Sequence, residues 1–115
     1  MKIAIVGSRT FTNYDLFEKI IIENYNITTI NQIISGGALG TDTLAEKFSD
    51  KYGILKNIFK PDWNKYGKSA GPIRNKLIIE NADEVIAFWD GTSRGTKNSI
   101  DLAIKYNKKV NVYRI

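Results

Sequence analysis

Cysteine and histidine are both absent from the 115 residues, and each absence removes chemistry. There can be no disulfide, no thiol nucleophile, no imidazole base and no ordinary zinc site. No cofactor and no metal is expected, and no residue is assigned a catalytic role. Long apolar runs are missing as well: none approaches the roughly 20 residues of a membrane span. The first apolar stretch, Ile3 to Val6, follows a single lysine and ends in Gly-Ser-Arg, too short for a secretory signal. The expectation is a cytoplasmic chain with no membrane partner. Hydrophobic residues make up 43% and charged residues 25%, ordinary globular proportions, and the length suits one domain, 1–115, that buries a core without staples.

What is present in excess is positive charge. A net charge of +5 suits a polyanionic partner, either a phosphorylated small molecule or nucleic acid. A surface rich in Lys and Asn that serves only solubility is the alternative.

Along the chain, apolar runs closed by glycine alternate with helical periodicity. Ile3 to Val6, ended by Gly7, reads as a strand buried on both faces. Asn13 can cap a helix carrying Leu16, Phe17, Ile20 and Ile21. Ile30 to Ser35 is a second strand, and Leu44, Ala45, Phe48 and Tyr52 line the next helix, which Gly53 ends. Ile54 to Phe59, broken by Lys56 and Asn57, reads as an edge strand. After a loop with Trp63 and Tyr66, Pro72 suits the first turn of a helix whose apolar side is Ile73, Leu77 and Ile78. Val85 to Trp89 reads as a central strand. Thr96 can cap a last helix with Ile100, Ala103 and Ile104 inside, and Val110 and Val112 mark a half-exposed final strand.

Strict alternation of strand and helix implies a parallel sheet with right-handed crossovers and helices on both faces, a Rossmann-like three-layer α/β fold. The two most apolar strands, first and fourth, should be neighbours, which gives the order 3-2-1-4-5. Ligands in such sheets bind beyond the carboxyl ends of the strands, where the order reverses.

Three loops at that end concentrate Gly, Ser, Thr and Arg: Gly7-Ser8-Arg9-Thr10, Ser35-Gly36-Gly37-Ala38-Leu39-Gly40-Thr41-Asp42, and Asp90-Gly91-Thr92-Ser93-Arg94-Gly95-Thr96. Glycine lets backbone N–H groups approach a phosphate, a helix start adds partial positive charge, and hydroxyls add donors. A tight connection explains any one such loop; three on one edge point to a phosphate cradle. No loop has the spacing of a P-loop or a dinucleotide fingerprint. Arg9 and Arg74 are the anion-binding candidates, since a guanidinium grips phosphate through two parallel hydrogen bonds. Asp42 in a helix's first turn can accept from ribose hydroxyls, or serve the helix alone. Trp63 can stack on a base, whereas Trp89 reads as core.

Taken together, GSRTF near the start, SGGALGTDTLAE in the middle and AGPIRNKLIIENADEVIAFWDGTSRGTKNSIDLA near the end resemble the SLOG superfamily, and within it the small standalone YspA-like proteins. The superfamily also holds DprA and the LOG phosphoribohydrolases, and its shared theme is binding nucleotides or their derivatives. The resemblance implies a pocket lined by Gly7, Ser8, Arg9, Gly36, Gly37, Gly40, Asp42, Arg74, Asn75, Asp90, Gly91, Ser93, Gly95 and Thr96; Ser35 and Thr41 join them from the loop reading. Two departures stand out. Leu39 sits where YspA-like and DprA-like chains commonly carry Arg. Where LOG enzymes place catalytic glutamates, Gly95-Thr96 is followed by Lys97, Asn98 and Ser99, and a neutral amide cannot act as the general base as a carboxylate can. The balance is against an enzyme.

Three functions stay open. The leading one is binding of a nucleotide-like small molecule, as a sensor or sponge. A hydrolase of N-glycosidic or phosphate bonds would have to rely on Asp42, Asp90 or Glu46. DprA-like single-stranded nucleic-acid binding would draw on the charge and on Trp63, Tyr66 and Lys68. A two-fold homodimer through the third helix and its preceding loop is a further expectation.

Overall fold

The computed structural model describes residues 1–115. Its strands are β1 (Lys2–Gly7), β2 (Gln32–Ser35), β3 (Leu55–Ile58), β4 (Glu84–Trp89) and β5 (Lys109–Arg114). Its helices are α1 (Tyr14–Asn24), α2 (Thr41–Tyr52), α3 (Trp63–Tyr66), α4 (Ala70–Asn81) and α5 (Arg94–Lys105). The five strands form one parallel sheet in the order β3-β2-β1-β4-β5, as the alternation implies. No helix is long and apolar enough to cross a membrane.

The period of two in β1 builds both faces of the sheet at once. Ile3 and Ile5 point to the layer of α1 and α2, where Phe17, Phe48 and Phe88 are fully buried. Phe17 meets Phe88 at 4.9 Å and Phe48 edge-on at 5.9 Å, the tilted contacts aromatic rings prefer. Ala4 and Val6 point to the other layer and meet Ile78, Ile79, Ile100 and Ala103 of α4 and α5. Gly7 of β1 stands opposite Phe88 of β4, so the loops after these strands leave the sheet side by side.

Several boundaries differ from the sequence reading. The first two residues expected in β2 lie outside it: Ile27–Thr29 form a 3-10 turn, and Asn31 donates its N–H to the Met1 carbonyl at 3.0 Å. The Trp63 loop is instead the short helix α3, because Asp62 caps it by accepting from Lys65 N at 3.1 Å. A 3-10 turn, Gly67–Ser69, runs directly into α4, which therefore begins at Ala70, two residues ahead of Pro72. The buried stripe of α4 is Ala70, Ile78 and Ile79, and Leu77 is left 42% exposed. Helix α5 starts at Arg94 behind Ser93, which places Thr96 in the first turn and not at the cap. Asn13 does cap α1, accepting from Leu16 N at 3.1 Å.

Candidate functional site

The fold fixes the site by bringing three loops to one corner. Beyond β1 and β4 lies a cavity of about 350 Å³ lined from the β1 loop by Gly7, Arg9 and Thr10, from the β2 loop by Gly36, Ala38 and Asp42, from α4 by Arg74 and Asn75, and from the β4 loop and α5 by Asp90, Ser93, Gly95 and Thr96. It sits where the strand order reverses, with β1 followed by a helix on one face and β4 by a helix on the other.

On the β4 side, the Asp90 carboxylate organises the loop. Its Oδ1 accepts from Thr92 N at 2.9 Å and Ser93 N at 2.8 Å, and these N–H groups hold its pKa below the usual carboxylate value. The first intrahelical bond of α5 runs from Lys97 N to the Ser93 carbonyl at 3.1 Å. The N–H groups of Arg94, Gly95 and Thr96 consequently have no carbonyl partner, which is the usual state of a helix start. Ser93 and Thr96 hydroxyls lie 3.1 Å apart at the same end, and a side chain built on Gly95 would meet only open space.

The β2 side is arranged differently. Thr41 N and Thr41 Oγ1 both donate to the Ser8 carbonyl, at 3.2 and 2.9 Å, so the β1 loop closes over the start of α2. Gly40, at φ 72° and ψ −122°, receives the Arg9 backbone so closely that any Cβ would overlap it. The Asp42 carboxylate folds back to accept from Ala38 N at 3.0 Å. Burial pushes the Asp42 pKa up, against the opposing pull of that N–H and of the Arg74 charge. Ser35 Oγ, fully buried beside this carboxyl, has no hydrogen-bond partner of good geometry.

Arg74 reaches across from α4 and is held by the protein. Its Nη1 donates to the Gly36 carbonyl at 2.7 Å and its Nε to Asn75 Oδ1 at 2.9 Å, while Asn75 Nδ2 donates to Asn98 Oδ1 at 3.1 Å. Nη2 is left without a protein partner. A Cβ on Gly36 would strike the guanidinium, so glycine there is what lets Arg74 lie flat in the cavity wall. Burial lowers the Arg74 pKa, Asp42 raises it, and Arg9 adds repulsion. Arg9 and Arg74 thus put two positive charges on the wall of one cavity.

Of the residues singled out in the sequence, Gly7, Arg9, Gly36, Asp42, Arg74, Asn75, Asp90, Ser93, Gly95 and Thr96 line the cavity together. Ser8 is 1% exposed, accepts from Asp90 N at 3.2 Å and ties two loops together. Ser35 and Thr41 are buried behind the wall, Gly40 lies under the Arg9 backbone, and Gly91 abuts the Arg114 side chain. Gly37 lines a second, adjoining cavity. Thr10 and Ala38, which lie in the quoted loops but were not among the expected lining residues, and Ser99, just beyond the third loop, are also in the lining. Ser99 was legible in principle, since it follows Thr96 by one helical turn on the same face.

No protein-family profile matches the chain. The gene 61 protein of Mycobacterium phage D29 is 30% identical over 79 aligned positions, covering 64% of this chain and 63% of that protein. Among solved structures, DNA processing protein A (DprA) from Helicobacter pylori superposes with a TM-score of 0.76 at 25% identity over 97% of this chain and 64% of that one. That structure describes the protein's single-stranded DNA binding mode. The fold shared with it is the SLOG-like Rossmannoid fold. The chain spans less than two thirds of the length of either protein.

Proposed function

We propose that the chain binds a nucleotide or nucleotide-derived small molecule in this cavity, with a phosphate placed against the start of α5 between Arg9 and Arg74. The observation that carries the reading is a cavity of about 350 Å³ whose wall holds Arg9, Arg74 and the start of α5, where the first N–H groups have no carbonyl partner. Backbone N–H groups and fixed arginines stabilise an anion with little reorganisation. The finer resemblance to YspA-like proteins, and a chain acting as one domain, go with this reading.

Calorimetry with mono-, di- and cyclic nucleotides, NAD and ADP-ribose tests it. Hydrogen bonds to charged groups contribute about 1.5–3 kcal/mol, so Arg9→Ala and Arg74→Ala should each weaken binding roughly 10- to 150-fold. Lys108→Ala, on the turn after α5, should change nothing. A folded sample that binds none of the panel removes the proposal.

A second reading, single-stranded nucleic-acid binding, is favoured by the likeness to DprA, a protein described as binding single-stranded DNA. It predicts that log K falls steeply with log salt and that each lysine or arginine removed along the strand costs a similar, modest amount.

A further inference from the structure

We propose that the nucleotide cavity and the cavity beside it form one two-unit site, which takes a dinucleotide: two bases flanking a phosphate linkage. The proposal rests on the nucleotide reading above and adds the class of ligand.

The second cavity, of about 400 Å³, is lined by Leu39, Lys60, Pro61 and Trp63 together with Gly37, and it shares Arg9, Gly36, Ala38 and Arg74 with the first. Ligand pockets commonly run from about 300 to 1,000 Å³, so each cavity suits one nucleotide unit and the pair suits two. The shared residues lie at the junction and include both arginines, which puts the positive charge where a linking phosphate would pass.

The walls of the two cavities differ in kind. The first carries Asp42, Asp90 and a row of hydroxyls. The second has no acidic residue; its walls are cationic and apolar. Trp63 is 54% exposed there and Leu39 75% exposed, so neither contributes to the core. Trp63 is nevertheless held in place, since it opens α3, whose cap is Asp62, and its ring edge lies beside Gly71 of α4. A positioned, solvent-facing indole next to Lys60 is a stacking platform for a base, and an apolar Leu39 beside it closes the platform without competing for the phosphate.

Two sources could supply this ligand chemistry, a free dinucleotide or a segment of a single strand. The test measures binding of 5′-AMP, of the dinucleotide pApA and of ten-residue oligo(A), with their guanine counterparts, to the parent, Trp63→Ala and Trp63→Phe. The parent should bind pApA or pGpG about 5- to 150-fold more tightly than the mononucleotide, the range that one base stacked on an aromatic contributes. Trp63→Ala should erase this gain and leave mononucleotide affinity as it was, and Trp63→Phe should keep part of it. Oligonucleotide binding tighter than dinucleotide binding selects the strand as source, and equal binding selects the free dinucleotide; both support the two-unit site. Dinucleotides that bind no better than mononucleotides overturn the proposal while the nucleotide reading stands. Absence of binding by every probe, with the protein folded by circular dichroism, removes both. A Trp63→Ala variant that turns a dimer into a monomer in light scattering, with pApA affinity unchanged, also overturns it, because the indole would then be covered by a second copy.

Discussion

Helices α2 and α5 both begin at the carboxyl edge of the sheet, each behind a glycine-bearing loop, yet the β1 loop closes over the first start, taking Thr41 N, and not over the second. At α2, the Ser8 carbonyl takes Thr41 N, the Arg9 backbone presses on Gly40, and Asp42 turns its carboxylate back on Ala38. At α5, Asp90 satisfies the loop N–H groups ahead of the helix, and those of Arg94, Gly95 and Thr96 have no carbonyl partner, with Gly95 and Thr96 in the cavity lining. Similar composition therefore gives two differently packed helix starts. A glycine-rich helix start is an anion site only when the chain does not itself supply the acceptors.

The sharpest way to break this contrast is a matched pair of glycine substitutions. Gly40→Ala forces a side chain into the Arg9 backbone at φ 72°. Strained backbone of this kind costs roughly 1–3 kcal/mol, and the overlap adds to it. Urea denaturation should show a loss of at least that size. Gly95→Ala, at a site with open space in the first turn of α5, should leave stability unchanged or raised by up to about 1 kcal/mol, as for alanine replacing glycine in a helix. Equal losses at both positions would mean that the two helix starts are not different in kind.

A smaller effect separates the two carboxylates by sign. The folded protein raises the Asp42 pKa through burial, so Asp42 binds its proton more tightly folded than unfolded. Its contribution to stability grows as pH falls through the raised pKa and is lost as pH rises past it. Asp90 is the reverse: backbone N–H groups lower its pKa, so its contribution is present above the ordinary aspartate value of about 3.9 and is lost as pH falls through the lowered one. Denaturation curves of Asp42→Asn and Asp90→Asn taken between about pH 7 and pH 3 should diverge from the parent in opposite directions on acidification. Divergence in the same direction would contradict the assignment of burial to one and of N–H contacts to the other.

How far the sequence carried the structure can be seen in particular residues. The start of β2 was set two residues early, because Ile30 is apolar for the core it enters and not for a strand. The sheet order was legible because β1 and β4 are apolar at every position between their ends, as only central strands need to be. Arg74 was legible as a residue of the candidate site, and it lines the cavity, but nothing in the spacing could show that Gly36 is the surface it lies on. Ser8, Thr41 and Gly40 look like ligand contacts in sequence and are the plug of α2 in three dimensions, since hydroxyls and glycines serve loop closure and phosphate binding alike. The second cavity could not be read at all: its walls come from residues 9, 36–39, 60, 61, 63 and 74, which the chain order keeps apart.

The most direct measurement is a titration of the isotope-labelled protein with AMP or GMP, followed through its backbone amide resonances. An anion seated at the open helix start should move the Arg94, Gly95 and Thr96 amides most and leave those of Thr41 and Asp42 nearly still. Shifts concentrated at Thr41 and Asp42, or saturable binding with the α5 amides unmoved, would contradict it.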